Sequence, residues 1–234
     1  MTTRAGRLAM ARLRAAARGH PEWWALALAA VAWIAMVQHG LGRGGCCRAA
    51  FSATGELVAW TGMVVAMMVP TLTGGLRDMA LRSYRLRRLR ALGLYLAGYL
   101  SCWVLAGLPA VALLAWLGAG ASKAAGVAFG AAAIWALVPA RASMQSLCHR
   151  RIALRPVGVA ADVDSVRQGI VSGAPCVAVC WPLMLACSLT AHALVVMTGC
   201  AILTVVEKRM FRPQALPIAA GAAGLASWSM LIAG

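Results

Sequence analysis

Apolar runs long enough to cross a bilayer alternate with short basic segments from residue 22 to the end of this chain. An α-helix rises about 1.5 Å per residue, so a hydrocarbon layer of about 30 Å takes about 20 residues. On that measure the pattern predicts spans over 22–39, 56–75, 91–117, 123–140, 169–188, 192–206 and 214–233. The predicted fold class is all-α: a polytopic membrane helix bundle of about seven transmembrane helices. Residues 1–21 read as a basic cytoplasmic N-terminal tail, and 22–234 as a single transmembrane helical domain. The tail and the apolar run behind it have the shape of a signal peptide, but no small-x-small cleavage site follows, so that run counts as the first span. Six spans, with the first or last outside the layer, is the competing count.

Charge then orients the pattern. The tail and the segments 76–90, 141–168 and 207–213 hold 19 of the 22 Lys and Arg residues, and the intervening loops hold only Arg43, Arg48 and Lys123. Basic loops stay on the cytoplasmic side, which puts the N-terminus inside, the C-terminus outside, and the protein, multi-pass, in a bacterial cytoplasmic (inner) membrane. Composition agrees: 62% of residues are hydrophobic, 12% are charged, and mean hydropathy is +0.79. The net charge of +16 is dispersed in loop blocks, which excludes nucleic acid as the partner and leaves the lipid bilayer. Gly93, Gly98, Gly107, Gly126, Gly130, Gly221 and Gly224 are expected to let helices approach closely.

Candidate chemistry lies in the sulfur. Residues four apart on a helix stack on one face, so Cys176, Cys180 and Met184 form a stripe with Cys187 close to it. Met63 and Met67 share a face with Glu56 on the second span, and the sixth span adds Met197 and Cys200. On straight helices, Met63 and Met67 lie about 10 and 16 Å below the outer boundary, and Met184, Cys180 and Cys176 about 6, 12 and 18 Å. Met197 and Cys200 fall near 8 and 12 Å, so three spans are expected to offer sulfur at one level in the outer half of the bilayer. Thiolate and thioether ligands in an apolar setting suit a soft ion, Cu(I) before Zn(II), which prefers Cys/His cages. The expected metal ligands are therefore Met63, Met67, Cys176, Cys180, Met184, Met197 and Cys200, with His39, Cys46, Cys47, Glu56, Cys187 and His192 as a mouth on the outer side. Each of these sulfurs taken singly is accounted for by core packing. Glu207, at the C-terminal end of an inward-running helix, opposes the helix dipole and calls for a cationic partner: Lys208, Arg209 or a loop arginine.

The run Trp60-x-x-Met63-x-x-Ala66-Met67-Met68-x-Pro70, followed by Cys176-x-x-x-Cys180-Trp181-x-Leu183-Met184 and Glu207-Lys208, resembles the bacterial family of predicted metal-binding integral membrane proteins (domain of unknown function 2182). The resemblance covers about 55–212. Family members carry Cys-x-x-Cys-Cys-Trp-x-Leu-Met where this chain has Val179 before Cys180 and Pro182 after Trp181. A further cysteine-bearing element corresponds to Met144-x-x-x-Cys148-His149-Arg150, with Met144 in place of a cysteine. The resemblance implies a metal-binding membrane protein.

Copper is thus the expected metal, bound, delivered or transported through a Met/Cys-lined site within the membrane. Two other readings stand beside it. One is a membrane thiol-disulfide oxidoreductase moving electrons from Cys46 and Cys47, although adjacent cysteines close only a strained ring. The other is a non-catalytic accessory subunit of a larger membrane complex. The expected partners are a metal ion and another membrane or periplasmic protein. No nucleotide-binding loop, zincin motif or Ser/His/Asp set points to an enzyme.

Overall fold

The computed structural model describes residues 23–42, 52–118, 121–148, 150–190, 193–209 and 218–225, and among them it is all-helical. The helices are α1 (Trp23–Gly42), α2 (Ala53–Met68), a 3₁₀ turn (Val69–Leu72), α3 (Thr73–Arg82), α4 (Arg88–Leu117), α5 (Ala121–Leu137), α6 (Pro139–Leu147), α7 (Gly158–Leu189) and α8 (Leu194–Arg209), and 218–225 is helical too. Among the described residues three stretches are long and apolar enough to cross a membrane: Ala53–Arg82, Arg88–Leu117 and Gly158–Leu189. A fourth exists if Ala124–Leu137 and Pro139–Leu147, which meet at an 80° bend, are one span. Among the described residues seven spans are not supported: 22–39 and 192–206 give the helices α1 and α8, and neither is among the stretches long and apolar enough to cross. Most of 214–233 and the tail 1–21 lie outside the described residues.

Element ends moved where polar side chains found partners. Helix α2 starts at Ala53 because Ser52 caps it, its hydroxyl accepting from the Gly55 amide at 3.4 Å. The expected polar loop up to Gln168 is helical from Gly158. Gln168 explains part of this: its carbonyl accepts from the Ile152 amide at 2.8 Å, and its NH₂ donates to the Arg150 carbonyl at 2.9 Å and to Ser172 at 3.2 Å. Asp164 takes the Arg155 backbone and guanidinium at 2.8–3.0 Å. The helix thus keeps its polar turns by binding the preceding loop with them.

Helices α4 and α7 form the most extensive packing in the bundle. Their backbones almost touch: a Cβ on Gly169 would lie 2.1 Å from the Tyr95 carbonyl oxygen, and one on Gly98 would lie 2.3 Å from that of Val166. Only glycine fits this crossing. The close-approach expectation holds for Gly98, Gly107 and Gly221, whereas Gly93, Gly130 and Gly224 face open space.

Two prolines join the remaining layers. Pro70 and Pro182 lack the N–H that would bond the carbonyl four residues back, namely Ala66 and Ala178. Each freed carbonyl is taken by an indole from a neighbouring helix, Trp33 to Ala66 at 3.0 Å and Trp135 to Ala178 at 3.2 Å. Helix α1 is thereby fastened to the end of α2, and α5 to the middle of α7. The basic segments 76–90 and 141–168 meet at one end of the bundle. Arg87 and Arg90 pair with Asp162, Arg151 reaches Asp78 at 3.0 Å, and Arg82 donates to the Ile152 carbonyl at 2.6 Å.

Candidate metal centre

The α4–α7 crossing sets the geometry of the site. Seven residues beyond Gly169, Cys176 faces Tyr99, whose hydroxyl lies 3.0 Å from its sulfur. One turn further, the Cys180 thiol pairs with that of Cys176. Both are nearly inaccessible, at 1% and 3% exposure. The stacked pair expected from the four-residue spacing is therefore present and turned into the bundle.

Ionic groups surround it. Lys208, in the last turn of α8, donates to the Cys176 sulfur at 3.0 Å and to Thr71 Oγ1 at 3.2 Å. Thr71 is fixed by its own donation to the Met68 carbonyl at 2.7 Å, so the 3₁₀ turn created around Pro70 presents its oxygen to the ammonium. Beside Cys180, Arg141 and Glu207 form a buried ion pair with contacts of 2.5 and 2.8 Å. The Arg141 Nε also donates to the Val179 carbonyl at 3.4 Å. Arg141 reaches this depth because the chain bends by 80° at Val138, where Pro139 starts α6. A small cavity lined by Trp135, Arg141, Cys180, Pro182, Leu203 and Glu207 lies alongside. The partner required by Glu207 is thus a loop arginine, Arg141, while Lys208 goes to sulfur.

All seven expected ligands, Met63, Met67, Cys176, Cys180, Met184, Met197 and Cys200, are buried within one contiguous core cluster. Their levels differ from the straight-helix count. Cys200 lies beside Cys187, and Lys208 stands opposite Cys176. Pro175 and Pro182 lie inside α7, where each removes a backbone hydrogen bond, and residue counts along α7 and α8 do not translate into common depth. Cys187, expected at an exposed mouth, is fully buried in that second pair. Glu56 is half-buried in the first turn of α2. Cys46, Cys47 and His192 lie outside the described residues, as does the side chain of His39 on α1. Among the described residues, no three His, Cys, Asp or Glu side chains gather into a metal cage.

Tyr99, Thr71, Arg141 and Lys208 were missed as site residues. Glu207-Lys208 stood out as a charged pair at a helix end, and Pro70 and Pro139 are the signals that could have marked the breaks. What could not be read was which helix each break would face.

A family model described as PpoB2, copper chaperone, matches residues 57–232. No curated protein and no solved structure matches the chain.

Proposed function

The chain belongs to the PpoB2 copper chaperone family, and from that premise we propose that it is an integral membrane protein of the bacterial inner membrane that holds Cu(I) and hands it on. Cys176 and Cys180 are the thiolate ligands, with Met184 one turn further along the same face as the first thioether candidate. Met63, Met67, Met197 and Cys200 complete a sulfur-lined interior from which further donors come. The observation that carries this reading is the pair Cys176 and Cys180, one turn apart on α7 and both buried, with an ammonium and a hydroxyl on the Cys176 sulfur. Soft ligands in a dry site favour Cu(I), and two to three ligands leave it exchangeable. The apolar helices and the clustering of the basic segments at one end support the membrane setting, with that end cytoplasmic. Tight glycine crossings and indole-capped carbonyls keep the site rigid without water.

The test is copper analysis of detergent-purified protein loaded anaerobically with Cu(I). Wild-type protein retains about one ion or more per chain through desalting, and Cys176→Ser/Cys180→Ser protein retains about a tenth of that or less. Equal, near-zero copper in both would overturn the reading.

A further inference from the structure

We infer that Lys208 makes the site selective for a singly charged metal ion, by acting as a fixed positive charge that the bound ion must share with two thiolates. This rests on the reading of Cys176 and Cys180 as ligands and adds a residue and a selection rule to it.

Three elements hold the ammonium in place: α8 carries it, Thr71 of the 3₁₀ turn accepts from it at 3.2 Å, and Cys176 of α7 accepts at 3.0 Å. Among the described residues no carboxylate lies within ion-pair distance of it, because the adjacent Glu207 is engaged by Arg141. The other groups around Cys176 and Lys208, namely Tyr99, Thr71 and the half-buried Cys148, bring no carboxylate. Arg141 and Glu207 cancel each other, which among the described residues leaves Lys208 as the charge at the dithiol not matched by a carboxylate.

The charge count then decides the guest. Cysteine binds metals as thiolate, so the loaded site has two negative charges, one ammonium and the ion. A monovalent ion brings the sum to zero. A divalent ion leaves one positive charge in an apolar interior, where an uncompensated charge is costly. Without Lys208 the balance reverses: a divalent ion gives zero and Cu(I) leaves a negative charge. Lys208 therefore discriminates by penalising the wrong ion as well as by accommodating the right one.

The experiment is competition of full-length, detergent-purified protein against chromophoric chelators for Cu(I) and, separately, Zn(II). Wild-type, Lys208→Met, Lys208→Arg and Cys176→Ser/Cys180→Ser proteins are compared. Lys208→Met is expected to bind Cu(I) about tenfold more weakly and Zn(II) about tenfold more tightly, and Lys208→Arg to stay near wild type. Should Lys208→Met fail to give monodisperse protein, Lys208→Gln makes the same charge change while keeping a hydrogen-bond donor. A Cu(I)-to-Zn(II) preference unchanged in the neutral variants would overturn the inference while leaving the copper site standing. Wild-type protein indistinguishable from the double-serine variant for Cu(I) would bring down both.

Discussion

Helices α2 and α7 carry the same pattern: sulfur side chains four residues apart, then a proline whose freed carbonyl is held by an indole from a neighbouring helix. Their surroundings differ. Met63 and Met67 are buried in the apolar core, and a thioether needs no partner when buried. Around Cys176 and Cys180 lie an ammonium, a phenol and a buried Arg–Glu pair. One stripe is therefore compatible with packing alone. The other is embedded in polar groups whose burial costs stability, and such groups persist in an apolar interior where they serve a site.

The sharpest way to break this contrast is to remove one ion of the α7 surroundings. Arg141→Met leaves Glu207 buried without its partner and should destabilise the protein by about 3–5 kcal/mol, read as a lower melting temperature in detergent. Arg141→Met/Glu207→Met should recover most of that loss, because no charge is then left alone. A double variant as unstable as the single one would mean that the pair does more than cancel itself.

The glycines give the next largest difference. Gly169→Ala places a Cβ on the Tyr95 carbonyl and should cost about 1–3 kcal/mol with loss of copper, since Tyr99 and Cys176 are brought together by that crossing. On α2, a Cβ at Gly62 meets only the Met36 sulfur at 3.5 Å, so Gly62→Ala should be nearly neutral by the same melting assay.

The indole bonds sharpen what the two helices share. Trp33→Phe and Trp135→Phe should each cost about 1 kcal/mol, by leaving the Ala66 or Ala178 carbonyl unpaired. In a Pro182→Ala background the backbone N–H returns, so Trp135→Phe should cost clearly less there. An unchanged cost in this double-mutant cycle would show that the indole acts through packing and not through the bond.

The smallest expected effect concerns Cys148, just past the end of α6, whose thiol is pushed up to about 11 chiefly by burial. The raised value means that the reactive thiolate is scarce at neutral pH. Maleimide labelling of Cys148 should therefore be slow at pH 7 and rise steadily through pH 9. Rapid labelling at pH 7 would contradict its half-buried setting.

Much of this was legible because it depends on neighbours along one helix. The four-residue spacing of Cys176 and Cys180 put two thiols on one face, and the unfavourable position of Glu207 demanded a cation. Contacts between helices were not legible. The pairing of Cys187 with Cys200 depends on an offset between α7 and α8 that residue counting from a boundary cannot give. The inward reach of Arg141 depends on the bend at Val138, inside what read as the end of a span followed by a loop. The seven-span count is not supported among the described residues, where three or four stretches are long and apolar enough to cross.

X-ray absorption at the copper K-edge of Cu(I)-loaded protein tests the central claim most directly. The account predicts a first shell of sulfur atoms that is lost in Cys176→Ser/Cys180→Ser protein and retained in Cys187→Ser/Cys200→Ser protein. A shell of nitrogen and oxygen, or a sulfur shell unchanged by replacing Cys176 and Cys180, would contradict it.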